Sequence, residues 1–228
     1  MVILLGSSKR RYTIGMELPN PVLESILQEA RLKQYPQGQI VLYEGDSPLE
    51  VYIVKSGYIK VYDVDAMGNE KALSIVKPGD VMPYAFFSGE DIPNKWFYQA
   101  LCDAEVYVLE RAKLNQAMQG DTELILSLVS NFSKEVHEIL TRLSSLGKSR
   151  AQAKLIALLK YLVVCVGDSK TPKWWRVPFP VNQQFLADLT GMTRETCAMA
   201  VKELANSNSI RTPKINLLEI NTTKLDSL

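Results

Sequence analysis

Asn182-Gln183-Gln184-Phe185-Leu186-Ala187-Asp188-Leu189-Thr190-Gly191-Met192-Thr193-Arg194-Glu195-Thr196-Cys197-Ala198-Met199-Ala200-Val201-Lys202-Glu203-Leu204 is the stretch that decides the fold. It holds two helical patterns around a tight turn. Asn182 is placed to cap the first helix, whose Phe185, Leu186 and Leu189 face inward, and small Ala187 allows the second helix to approach closely. Gly191 falls where the first helix has to stop in a left-handed conformation. Thr193 then caps the second helix, and Cys197, Val201 and Leu204 recur at i, i+4 and i+7 as its buried face. Arg194, Glu195, Ala198, Met199 and Lys202 are left outside. That is the layout of a helix-turn-helix recognition helix, whose first turn enters the major groove of double-stranded DNA.

The side chains on the outer face suit that task. Arg194 can fork onto guanine O6 and N7, and Glu195 can accept from cytosine N4. Met199 offers apolar contact, for example to a thymine methyl. Thr193, Thr196 and Lys202 are better placed for phosphates, which set register without reading sequence. Gln183, in the first turn of the first helix, completes the DNA-facing candidates. Downstream, Ile210 to Ile220 partly alternates and reads as the wing, with Arg211 and Lys214 as phosphate contacts; a solvated surface hairpin is the plain alternative. Charge agrees with a polyanionic partner. Residues 147–228 carry 12 Lys+Arg against 6 Asp+Glu, whereas residues 1–146 carry 14 against 19.

Upstream of the motif, Gly167 to Pro180 reads as a loop with at most one short strand at Trp174–Val177, preceded by a helix from about Ser149 to Val166. Before that, Ile125, Val129, Phe132, Val136, Ile139, Leu143 and Leu146 are spaced 4, 3, 4, 3, 4 and 3 residues apart, an a/d seam ended by Gly147. A helix packed only on its own domain would need a wider apolar stripe. Leu124, Leu128 and Leu140 widen it in places, so the helix is expected to touch both its own domain and a partner helix in a homodimer.

From Gln39 to about Leu109 the period is that of strands. Val51–Val54, Tyr58–Tyr62, Ala72–Val76 and Glu105–Leu109 are short β-branched and aromatic runs between glycines, the pattern of an all-β sandwich or barrel. Met67-Gly68-Asn69 is a hairpin tip. Asn20 and Pro21 open a short helix through Leu23, Ile26, Leu27 and Ala30. The expected class is therefore α+β, with a sensor β-barrel domain over 1–120, a dimerisation helix over 121–147 and a winged helix-turn-helix over 148–228.

The composition excludes several classes. An apolar share of 46% with 22% charged residues is that of a globular chain, not of a disordered or collagen-like one. Cys102, Cys165 and Cys197 form no CxxC pair, which argues against a disulfide framework, a zinc site or an iron–sulfur cluster. The opening Met1-Val2-Ile3-Leu4-Leu5 is too short for a signal-peptide core, and no run reaches the ~20 apolar residues that span a bilayer. A cytoplasmic protein without a membrane partner is expected. With one histidine, His137, on the seam helix and no nucleophile–base pair or phosphate-cradling loop, the chain is not expected to be an enzyme.

Three stretches together resemble the CRP/FNR family of transcription regulators. They are Gly38-Gln39-Ile40-Val41-Leu42-Tyr43-Glu44-Gly45-Asp46, then Val51-Tyr52-Ile53-Val54-Lys55-Ser56-Gly57-Tyr58-Ile59-Lys60-Val61, and Thr193-Arg194-Glu195-Thr196. The resemblance implies a cupin-like sensor barrel related to cyclic nucleotide-binding domains, a two-fold dimer on a palindromic site, and RNA polymerase as a partner. It also marks the ligand pocket, and there the chain departs. Tyr84 stands where the family's cyclic-nucleotide binders carry Glu, Asn94-Lys95 stands at their Arg-Ser pair, and Ile139-Leu140 replaces their hydroxyl pair on the long helix. Lysine does not replace an arginine fork geometrically, so cyclic AMP is not the expected effector. Haem and an iron–sulfur cluster are not expected either, and the effector is open. Tyr84, Phe86, Phe87, Trp96, Phe97 and Tyr98 either fill the pocket or line it for an apolar or aromatic molecule, with filling preferred. Met199 stands where the family often carries Arg, which puts the usual half-site in doubt at that base pair. The alternative from another class is a small-molecule-binding module whose winged helix makes protein contacts.

Overall fold

The structure, a computed structural model, describes residues 21–47, 49–88, 92–171 and 173–227. The opening apolar run, the Asn20 cap and Pro172 lie outside the described residues, as does the side chain of Phe87. Helix α1 (Pro21–Glu29) leads into β1 (Arg31–Tyr35), β2 (Ile40–Leu42), β3 (Glu50–Ser56), β4 (Ile59–Val64), β5 (Glu70–Val76) and β6 (Val81–Met82). A 3₁₀ turn (Tyr84–Ser88) precedes β7 (Phe97–Ala100) and β8 (Ala104–Glu110). Two antiparallel sheets result, ordered β1-β8-β3-β6 and β2-β7-β4-β5. Their inner faces close on one core that includes Val54, Ile59, Val61, Val76, Tyr98 and Val106, each 0% exposed. Gly57 makes the β3–β4 turn at φ +82°, with no room for a side chain: a Cβ there would stand 2.5 Å from the Asp103 carbonyl oxygen.

Helix α2 (Arg111–Gly120) joins the barrel to α3 (Thr122–Leu146). The Asp121 side chain caps α3 by accepting from the Leu124 amide at 3.0 Å. The third unit comprises α4 (Ala151–Cys165), β9 (Asp168–Ser169), β10 (Trp174–Arg176), α5 (Gln183–Thr190), α6 (Arg194–Asn206), β11 (Ile210–Arg211), β12 (Glu219–Asn221) and α7 (Thr222–Leu225). Its strands form a small sheet, β11-β12-β10-β9. Leu155, Leu158, Leu159 and Leu162 of α4 are fully buried at its centre.

The α+β class and its order of parts match expectation. Among the elements not foreseen, three have a plain physical reason. Strand β1 lies on a sheet edge with an exposed polar face, so it lacks the apolar alternation of a central strand. Helix α2 buries only Leu114, too little for a visible helical period. Strand β9 pairs with β10 across the loop where at most one strand was expected; its two residues, Asp168 and Ser169, carry no apolar signal.

Candidate nucleic-acid interface

The turn between α5 and α6 has the anticipated geometry. Asn182 Oδ1 accepts from the Phe185 amide at 2.8 Å, Gly191 ends α5 at φ +63°, and Thr193 Oγ1 accepts from the Thr196 amide at 3.2 Å. The face of α6 that carries Cys197, Ala200 and Leu204 is buried, with Val201 beside it half-buried. The opposite face leaves Arg194, Glu195, Thr196, Met199 and Lys202 exposed, and Thr193 and Gln183 are exposed beside it. Helix α6 therefore presents a charged, unobstructed surface from a rigid base, as insertion into a groove requires.

The wing is more tightly organised than its sequence suggested. Glu219, in the central strand, is 2% exposed and faces Arg211 on one side and Arg176 on the other. Arg176 donates through Nε (2.9 Å) and Nη2 (2.6 Å) to Glu219 Oε1, and Arg211 donates through Nε (2.7 Å) to Oε2. Those guanidiniums hold the Glu219 carboxyl below its ordinary range although burial pushes the other way. The Arg211 guanidinium also lies 4.1 Å from the centre of the Trp174 ring. Arg211 and Lys214 are exposed. Arg176 and Glu219 were not singled out from sequence, because their pairing exists only across strands.

Helix α3 divides its residues between two faces. Leu124, Leu128, Glu135, Arg142 and Ser145 are buried against the chain's own domains. Leu126, Val129, Val136, Leu140 and Leu143 are 37–63% exposed and form a free apolar seam. Of the expected seam, Val129, Val136 and Leu143 fall on this face, whereas Ile125, Phe132, Ile139 and Leu146 are half-buried between the two. Leu126 and Leu140 stand at heptad spacing with Val129, Val136 and Leu143 in a register broken only by Ser133, whereas the apolar Ile125, Phe132, Ile139 and Leu146 draw a sequence reading to the neighbouring register.

The ligand-pocket candidates come together only in part. Tyr84 and Trp96 pack on the barrel core beside Tyr98, with the Tyr84 ring 6.0 and 6.1 Å from the other two. The Tyr84 hydroxyl donates to Glu135 of α3 at 2.6 Å and lies 2.8 Å from the Ser74 hydroxyl. Asn94 is buried, with its amide donating to the carbonyls of Tyr43 and Trp96. Lys95 is exposed, Ile139 half-buried and Leu140 exposed. The neighbouring cleft at Pro83, Ala85 and Arg111 has a cavity volume of about 10 Å³, room for one water at most. Among the described residues no group of three or more His, Cys, Asp or Glu could hold a metal, and no helix is long and apolar enough to cross a membrane.

A β-barrel joined by a long helix to a winged helix-turn-helix defines a transcription regulator. Residues 32–121 match the cyclic nucleotide-binding domain, and residues 153–225 match the Crp-like helix-turn-helix domain. The chain belongs to the CRP/FNR family. Among its relatives, the transcriptional regulator SdrP of Thermus thermophilus is 28% identical over 195 residues, covering 82% of this chain and 89% of SdrP. The cAMP-activated global transcriptional regulator CRP of Salmonella typhimurium is 20% identical, covering 86% and 93%. The structure of FixK2 from Bradyrhizobium japonicum superposes with a TM-score of 0.72 at 19% identity, covering 87% of this chain and 96% of FixK2, which shows the shared fold. These relatives are regulators, not enzymes.

Proposed function

We propose that the protein is a homodimeric regulator that binds a palindromic site on double-stranded DNA through α6 and the wing. The observation that carries this reading is α6 itself, buried on the side of Cys197, Ala200 and Leu204 while Arg194, Glu195, Met199 and Lys202 stand free. Arg194 and Glu195 read base edges, Met199 meets a methyl, and Gln183, Thr193, Thr196, Lys202, Arg211 and Lys214 contact the backbone. Dimerisation proceeds through the free seam of α3, which supplies an apolar face at heptad spacing. RNA polymerase is the further partner, and the cytoplasm the location, that this role implies.

Cyclic AMP is not the effector in this reading, although it activates the Salmonella relative. Asn94 spends its amide on main-chain carbonyls, and Tyr84 occupies the space between barrel and α3 with its own ring. Neither haem nor an iron–sulfur cluster is required. In-vitro selection of duplexes from a random pool, with ligand-free protein at fixed moderate salt, tests the proposal. An enriched palindrome is expected, with affinity falling as salt rises by a log–log slope of about −0.9 per phosphate contacted. A pool that stays random, or affinity indifferent to salt, refutes it.

A further inference from the structure

The helix-turn-helix unit is docked on its own barrel. Tyr58, Ala72 and Ile75 of the barrel share one buried core with Phe179, Phe185 and Leu189 of the C-terminal unit. A cation crosses this apolar dock. Arg142, in the last turns of α3, is 7% exposed. Its guanidinium donates to the carbonyls of Leu73 and Ala72 (2.5 Å) on β5 and to that of Leu189 (2.9 Å) at the end of α5. One side chain thus ties the barrel, the long helix and the first helix of the helix-turn-helix.

For stability alone this is a poor choice of residue. A guanidinium taken out of water whose hydrogen bonds go to carbonyls, with the Tyr161 phenol nearby, loses much of its hydration energy, and its Nε has no hydrogen-bond partner among the described residues. An unbranched apolar side chain would fill the same space without that cost. What the guanidinium adds is direction. Its planar fork holds two adjacent β5 carbonyls and one α5 carbonyl in a fixed relation, and its charge sits at the negative end of the α5 dipole. Helix α5 in turn sets α6 through the tight Gly191 turn, while α3 carries the free apolar seam.

We propose that Arg142 is a positioning residue for DNA binding, which pins α5 to β5 and α3 and so fixes the half-site spacing that the dimer accepts. This rests on the dimeric reading above. In the docked arrangement the outer face of α6 is open, so docking leaves it free to meet DNA.

The test is a selection on palindromes whose half-sites are separated by spacers of graded length, with dimerisation followed by sedimentation. Wild-type protein is expected to enrich one spacing. Arg142→Met is expected to keep the half-site and the dimer, lose roughly tenfold in affinity for that spacing through lost preorganisation, and accept spacers one or two base pairs longer or shorter. Ile75→Ala trims the same dock from the barrel side and is expected to broaden spacing too, which keeps the test decisive if Arg142→Met does not fold. Variants that retain the single spacing at wild-type affinity overturn the proposal, as does tighter binding by either variant, since the dock would then restrain α6 instead of positioning it. A wild-type protein that enriches no palindrome overturns the dimeric reading and the proposal together.

Discussion

Replacing Glu135 by glutamine should remove most of the pH dependence of stability on the alkaline side of neutrality. Glu135 is 5% exposed, and its carboxyl is pushed up to about 8, first by burial and then by the charge of Asp80. Asp80 is itself raised to about 6, also by burial. Around Glu135 stand Glu138 on its own helix, Lys77 and Asp80 from the β5–β6 turn, Tyr84 and Tyr98 from the barrel, and Tyr161 from α4, with Cys165 of α4 against Glu138. Lys77 reaches Glu138 at 2.5 Å and Asp80 at 4.0 Å. One lysine cannot neutralise three carboxylates in so little water, so a proton stays on the cluster.

The folded value of Glu135 lies above its ordinary 4.5, so the native protein holds a proton that the unfolded chain has released. Stability from this group is complete below about pH 4.5 and is lost as pH rises towards 8. Asp80 has largely titrated by pH 7, which leaves the upper part of the window to Glu135. From pH 6 to pH 8.5 the remaining two units, at about 1.4 kcal/mol each, amount to about 3 kcal/mol. Glutamine has no such proton to lose and still accepts the Tyr84 hydroxyl. At about 2–4 °C per kcal/mol for a chain of this size, wild-type Tm should fall by roughly 8 °C over that range while the Glu135→Gln variant stays level. Scanning calorimetry at half-unit intervals reads this directly. A flat wild-type profile, or a variant that falls as steeply, refutes the reasoning.

Four further substitutions test other parts of the structure. Leu140→Asp puts a charge in the C-terminal half of the free α3 seam and should give a folded monomer by sedimentation, with specific DNA affinity lost; a dimer of unchanged strength would remove that seam from the interface. Arg211→Ala should weaken all duplexes alike and make the salt slope shallower by about 0.9, one phosphate contact, whereas Arg194→Ala should relax selection at one base position; the assay is fluorescence anisotropy across a salt series. Gly57→Ala has to accommodate a Cβ at 2.5 Å from the Asp103 oxygen and 2.7 Å from Ala104 Cα, both backbone atoms, at φ +82°. It should cost more than about 2 kcal/mol of barrel stability in denaturant unfolding, and a loss below ~0.5 kcal/mol would contradict the tight turn.

The parts legible in the sequence are those whose signals are local. The α5–α6 motif announces itself through two caps, one left-handed glycine and an apolar period, all within 23 residues. The strands of the barrel show because most of them bury one face or both. What stayed hidden depends on contacts between distant segments. Charged residues are assigned to solvent by default, so Glu135 and Arg142 gave no sign that they lie on the buried stripe of α3. Glu219 likewise became meaningful only when β12 took its place between Arg211 and Arg176. The heptad reading falls on the helix that carries the exposed apolar seam but merges its two faces, because residues such as Ile125 and Ile139 sit at the border where both stripes meet.

Glu135 and Arg142 also lie on one candidate mechanical route between the barrel and the DNA-binding unit. Glu135 and Arg142 are seven residues apart on the same buried face, a rise of about 10.5 Å along one continuous helix. Glu135 receives the hydroxyl of Tyr84, which packs on the barrel core. Arg142 holds the last turn of α5. A displacement of the Tyr84 ring can therefore reach α6 by rotating or sliding α3 as a rod, without any intervening side chain having to rearrange. Coupling of that kind carries a specific signature: Glu135→Gln and Arg142→Met, measured singly and together on the preferred DNA spacing, should be non-additive although the two side chains do not touch. Strict additivity would mean that each end of α3 is anchored independently, and that the barrel has no mechanical route to the recognition helix through this face.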